Sequence, residues 1–306
     1  MTTRGRIIKT DTPQNQTLLR PMVLRRSALV VDHEACCGCE ICSLVCPHES
    51  ISLSEGQLVD GRMTVQPRID IDPATCSMCG ECVVVCPTHA LSMTIDGKPE
   101  IPVISGKAFP YLLRNVKIDQ DAAAASTDTS YIDNCPVGAI SAELATDDAG
   151  QVTAVSNVEV DRELCIACTR CMELGPKGAF TITRPYQGHV RLDVSLCPEG
   201  CQACADICPT KTISYDGQQV SVDERFCVFC GACEHICPAE GAITVQRTNI
   251  LHTPIESGAW NKALDKLVAY EAVVREYDRK GQLRRRRAVL TGLLREMPED
   301  EGNSQR

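Results

Sequence analysis

The chain has 306 residues, 21 of them cysteine, and 31 Lys and Arg against 40 Asp and Glu give a formal charge of −9. A cysteine density of this kind means a disulfide scaffold or metal binding. The N-terminus, MTTRGRIIKTDTPQNQ, has neither the apolar stretch nor the cleavage site of an export signal. The expectation is therefore a cytoplasmic protein whose thiolates stay reduced and bind metal. No run reaches the ~20 apolar residues of a membrane span, which leaves open only peripheral attachment to a membrane complex. Acidity without a base-reading module excludes nucleic acid as a partner. With six Tyr, four Phe and one Trp, the chain lacks the bulky side chains for one large core, and several small metal-held modules fit better.

Residues 1–26 read as an N-terminal extension. From there one unit recurs: a short alternating strand ends in Asp, three residues follow, and a cysteine run begins. It appears as LVVDHEAC to Cys36, RIDIDPATC to Cys76, VEVDRELC to Cys165, VRLDVSLC to Cys197 and VSVDERFC to Cys227. The period-two alternation carries the strand assignment, and the recurrence makes an internal repeat of strand, cysteine loop, short helix and strand. The runs are Cys36, Cys39, Cys42, Cys46; then Cys76, Cys79, Cys82, Cys86; and Cys227, Cys230, Cys233, Cys237, each followed by Pro. A fourth, Cys197, Cys201, Cys204, Cys208, carries one extra residue after its first cysteine. Its C-x3-C-x2-C opening also occurs in radical S-adenosylmethionine enzymes, but the Asp193 strand before it and Cys208-Pro209 after it mark a run of the repeat.

C-x2-C-x2-C-x3-C-P is the bacterial ferredoxin run for [4Fe–4S] clusters, in which the fourth cysteine ligates the other cluster of a pair. Three thiolates on a tight loop reach irons of one cube, while the fourth is carried away by a helix. That exchange pairs Cys86 with Cys36, Cys39 and Cys42; Cys46 with Cys76, Cys79 and Cys82; Cys237 with Cys197, Cys201 and Cys204; and Cys208 with Cys227, Cys230 and Cys233. The run Cys165, Cys168, Cys171 meets Gly175 where a fourth cysteine is due. Upstream lies a lone Cys135-Pro136, whose expected triplet positions hold Ala125, Asp128 and Tyr131. The losses are complementary, and Cys135 is expected to complete one surviving cluster. Five clusters use twenty cysteines and leave Cys37, read as a small buried or edge thiol. Zinc prefers separated pairs in a closed tetrahedral site, which these triplets do not form. His48 and His89 follow Cys-Pro pairs closely enough to tune a cluster, although ordinary surface positions are the plainer reading.

The expected fold is α+β: three tandem ferredoxin-like modules of short β-hairpins and short helices, plus a C-terminal helical hairpin. Residues 27–95 hold two clusters, 96–111 form a Gly- and Pro-rich linker, 112–185 hold one cluster, and 187–247 hold two. All three modules resemble the 8Fe ferredoxin family, and their tandem arrangement is similar to a polyferredoxin. This resemblance implies an electron-transfer subunit of an anaerobic redox complex, of hydrogenase, formate dehydrogenase or formylmethanofuran dehydrogenase type. Two alternatives are the iron–sulfur subunit of a molybdopterin oxidoreductase and a non-redox metal-stabilised scaffold. No dinucleotide loop, P-loop or supported carboxylate pair is visible, so the chain is expected to be non-catalytic. It would pass electrons between a redox donor or acceptor and a catalytic oxidoreductase subunit. The tail, 250–306, has no cysteine. Ser257 reads as a helix cap, with Trp260, Leu264, Leu267, Val274 and Tyr277 on one face. Gly281 ends that helix, and a second carries Leu283, Leu290, Leu294 and Met297. The hairpin is expected to dock a partner.

Overall fold

Entry into every cysteine run is set by an aspartate at the end of a strand. In the computed structural model, which describes residues 5–269, Asp32 Oδ1 accepts hydrogen bonds from the amides of Glu34 and Ala35. Asp72 accepts from Ala74, Asp161 from Glu163 and Leu164, Asp193 from Ser195 and Asp223 from Arg225. A carboxylate that bonds the backbone two residues on turns the chain sharply out of its strand. The tightness of the following loop shows in its dihedrals. Both Glu40 and Gly80 precede a five-residue helix with positive φ, 59° and 86°, as do Thr169 at 67° and Gly231 at 92°. The Cys197 run departs: Gln202 before its helix has φ −135°, and Gly200 at 71° takes the left-handed turn instead. The inserted residue therefore changes the path of the loop but not the helix that follows it.

Strand pairing repeats along the chain. Arg26–Asp32 pairs with Leu91–Ile95 around an inner pair, Ile51–Leu53 with Ile69–Ile71. Val116–Ile118 pairs with Phe180–Ile182 around Ile140–Thr146 with Val152–Val160. Tyr186–Leu192 pairs with Ile243–Ile250 around Ile213–Tyr215 with Val220–Val222. Short helices lie between: Ile41–Val45, Glu81–Val85, Arg170–Leu174, Ala203–Ile207 and Ala232–Ile236. The result is a mixed fold of small antiparallel sheets and short helices, the class that the repeat leads one to expect. A sixth strand-plus-aspartate unit, Val116–Ile118 with Asp119, escaped the sequence reading because no cysteine follows it. Asp119 caps the helix Gln120–Ala124 through the amide of Ala122.

Three segments differ from expectation. The N-terminal residues are no loose extension: Ile8–Asp11 and Asn15–Pro21 add two strands to the sheet of Arg26–Asp32, making it five-stranded. Leu18 faces Leu29 across that sheet, and both are buried. The segment 96–111 contains a strand, Lys98–Pro99, and a helical turn, Pro102–Ser105, and Phe109 is buried against Trp260 with ring centroids 5.3 Å apart. The helix Gly258–Val268 begins where Ser257 suggests, with the Ser257 hydroxyl 3.5 Å from the amide of Trp260. It buries Trp260, Ala263 and Leu267 against Ile41, Val45, Val85, Tyr186 and Phe229 of the chain itself. Covering that face with its own body leaves it closed to a partner. The second expected helix, and Val274 and Tyr277, lie outside the described residues.

Candidate metal centres

The fold brings four thiols, three from one run and one from elsewhere, to line each of three cavities. One cavity is lined by Cys46 together with Cys76, Cys79 and Cys82. Two others are lined by Cys208 with Cys227, Cys230 and Cys233, and by Cys135 with Cys165, Cys168 and Cys171. The remaining sets show in mutual electrostatics. Burial pushes the Cys36 thiol up to about 11, and Cys39 and Cys86 add to the rise. Burial likewise pushes Cys204 up to about 12, with Cys237, Cys201 and Cys197 contributing.

Cys135 occupies its place in the same way as Cys46. The amide of Ala139 lies 3.3 Å from Cys135 Sγ, and the amide of Ser50 lies 3.4 Å from Cys46 Sγ. Of the triplet positions upstream of Cys135, Ala125 and Asp128 are exposed and Tyr131 is buried. Tyr131 is buried against Phe180, centroids 5.1 Å apart, among Val116, Ala123, Val158 and Ile182. Gly175 lies against the same ring: a Cβ there would stand 2.8 Å from Phe180 and 2.6 Å from the carbonyl oxygen of Cys171. Phe180 thus meets both Tyr131 and Gly175.

A donor set of four sulfurs in an apolar pocket is the ligand set of a [4Fe–4S] cluster, and the quartets fit it. Four adjacent buried thiols cannot all ionise unaided, because a buried charge needs a partner. Burial takes Cys171 up to about 12, and Cys168, Cys165 and Cys135 add to it. Metal supplies the missing positive charge, so its uptake releases protons and stabilises the fold. Backbone and hydroxyl donors reach the sulfurs as well: the Phe229 amide lies 3.3 Å from Cys227 Sγ, and Thr212 Oγ1 lies 3.3 Å from Cys208 Sγ.

Arginines surround the quartets, and nothing in the cysteine spacing marks them. Arg184 donates to the carbonyl of Cys227, Arg247 to that of Cys230, and Arg170 to those of Thr210 and Lys211. Arg114 donates to the carbonyl of Cys86 at 2.5 Å and to the ring of His89. His89 is half-buried rather than a surface residue, and burial beside Arg114 lowers its pKa to about 4. Cys37 is buried too, its thiol hydrogen-bonded to Cys230 and Cys39. At the surface, Met22, Val23 and Leu24 are exposed at the end of a hairpin. The neighbouring Arg20 holds the carbonyl of Ser77, next to Cys76.

Fold and quartets together define an iron–sulfur protein of the ferredoxin type. The profile of the 4Fe–4S dicluster domain family matches residues 35–90 and 195–241. Two uncharacterized ferredoxins of Methanocaldococcus jannaschii are similar in sequence. One is 44% identical over 55 residues, 18% of this chain and 70% of that protein. The other is 38% identical over 59 residues, 19% of this chain and 94% of that protein. The chain belongs to the 4Fe–4S ferredoxin family. One chain of the formate dehydrogenase–heterodisulfide reductase–formylmethanofuran dehydrogenase complex from Methanospirillum hungatei superposes with a TM-score of 0.74 at 27% identity, over 88% of this chain and 93% of that one. The protein is accordingly an iron–sulfur electron-transfer protein that resembles a subunit of a multi-subunit oxidoreductase. Among the described residues no helix is long and apolar enough to cross a membrane.

Proposed function

We propose that this chain is the non-catalytic electron-transfer subunit of an oxidoreductase complex of the formate or formylmethanofuran dehydrogenase kind. It holds five [4Fe–4S] clusters in three tandem ferredoxin-like modules, at 27–95, 112–185 and 187–247. The ligand sets are Cys36, Cys39, Cys42 and Cys86; Cys76, Cys79, Cys82 and Cys46; Cys165, Cys168, Cys171 and Cys135; Cys197, Cys201, Cys204 and Cys237; and Cys227, Cys230, Cys233 and Cys208.

The observation that carries this reading is that each of three separate cavities is lined by four thiols, three from one run and one from elsewhere. When bound, the clusters supply one-electron transfer; the chain does the rest. Its thiolates hold the iron, its amides and threonine hydroxyls hydrogen-bond the sulfurs, and its apolar walls keep water out. Each of these contributes to the potential of a centre. The likeness to a chain of a formate- and formylmethanofuran-linked complex supports the choice of host, and the exposed Met22–Leu24 tip supports a docked partner. Iron and acid-labile sulfide, measured on protein isolated without oxygen, test the reading. Five cubes require about 20 of each per chain, whereas about 16 means that one quartet does not load. Abundant zinc with little sulfide overturns the electron-transfer reading.

A further inference from the structure

We propose that Arg114 is a fixed positive charge shared by two centres, those of the Cys36 and Cys165 quartets, and that it raises the reduction potential of both. The inference rests on the ligand sets proposed above and adds a residue that none of them contains.

Its geometry links the two quartets. One guanidinium N–H is donated to the carbonyl of Cys86, which closes the first quartet. Another goes to the ring of His89, and that ring bonds the backbone of Cys165, which opens the other. A half-buried arginine ordinarily meets a carboxylate. The groups whose charge acts on Arg114 are instead Tyr186 and the thiols of Cys86 and Cys165. The His89 ring lies between the guanidinium and the backbone of Cys165 and so holds the cation between the two loops. Reduction by one electron adds one negative charge at a quartet, and a guanidinium held nearby favours the form that carries it.

The test is a potentiometric titration, followed by electron paramagnetic resonance, of the full-length loaded chain and of Arg114→Gln and Arg114→Lys, with iron counted for each. In Arg114→Gln, two of the five centres are expected to become at least tenfold harder to reduce at a fixed potential, about 59 mV for one electron. Arg114→Lys keeps the charge and is expected to stay near the parent. Unchanged potentials in Arg114→Gln overturn the proposal, as does an equal shift of all five centres or an equal loss in Arg114→Lys. Should Arg114→Gln fail to take up iron, Arg114→Met, with an unbranched chain of similar reach, is titrated in its place and judged by the same criteria. If both neutral variants lose the iron of these two quartets while Arg114→Lys loads fully, the charge serves assembly and not the potential, which overturns the proposal. If Arg114→Lys also fails to load, the guanidinium acts through its carbonyl bond and the charge proposal falls. A parent chain with fewer than five centres counts against the ligand sets, a failure distinct from any result at Arg114.

Discussion

The regions 27–95 and 112–185 share one strand plan and differ in what fills it. In the first, the outer pair Arg26–Asp32 and Leu91–Ile95 and the inner pair Ile51–Leu53 and Ile69–Ile71 enclose two thiol quartets. In the second, the equivalent pairs enclose one quartet and an aromatic plug of Tyr131 and Phe180. Where the first region brings a second set of thiols together, the second packs Tyr131 on Phe180, and Gly175 lies against the same Phe180 ring.

The largest expected effect breaks this comparison at Cys135. Cys135→Ser is expected to lower iron from about 20 to about 16 per chain, because the quartet loses a thiolate and metal binding is part of the folding free energy. Cys37→Ala is the matched control, expected to leave iron at about 20 since all five proposed sets remain complete. Equal iron in both variants would remove Cys135 from its quartet. Next in size, Tyr131→Ala opens the plug. Deleting a buried aromatic costs about 3–5 kcal/mol, read as a lower denaturant midpoint with the iron count unchanged. Loss of iron alongside stability would show that the plug supports the quartet and does more than fill space.

Gly175→Cys tests how tightly the plug is packed, and it is expected to lower the denaturant midpoint with the iron count unchanged. The new Cβ meets the Phe180 ring and the Cys171 carbonyl, and overpacking of this kind costs about 1–3 kcal/mol. An unchanged denaturant midpoint would mean that the aromatic plug yields to the added side chain, contrary to the comparison above.

The parts of this arrangement that were legible in sequence are those carried by residues close together in the chain. The cysteine runs, the aspartates before them and the start of the last helix at Ser257 are local patterns with local causes. The sixth aspartate unit at Asp119 was hidden because its cysteine marker had been lost while its turn survived. Gly and Pro in 96–111 announce turns, but they say nothing of whether Phe109 finds Trp260, a contact between residues far apart in sequence. Arg114 and His89 escaped for the same reason. Their role comes from lying between two loops, and no spacing rule encodes that.

The smallest expected effect concerns the loops themselves. The residue before the short helix is glycine at Gly80 and Gly231 but Glu40 and Thr169 in the other two regular runs, all with positive φ. A β-branched residue is the least suited to left-handed backbone, so Thr169 in the one-quartet region bears more strain than Glu40 in the two-quartet region. Thr169→Gly relieves that strain and gives back part of the gain through the freer unfolded chain. The bond from its hydroxyl to the Arg225 carbonyl, at 3.4 Å, is long enough to lose at small cost. A net stabilisation of about 0.5 kcal/mol is expected, with iron unchanged, measured as a shift in the denaturant midpoint. Glu40→Gly also forfeits the contact with His235 at 3.6 Å, so it is expected to gain less. If Glu40→Gly gained more, backbone strain would not be what distinguishes the two loops.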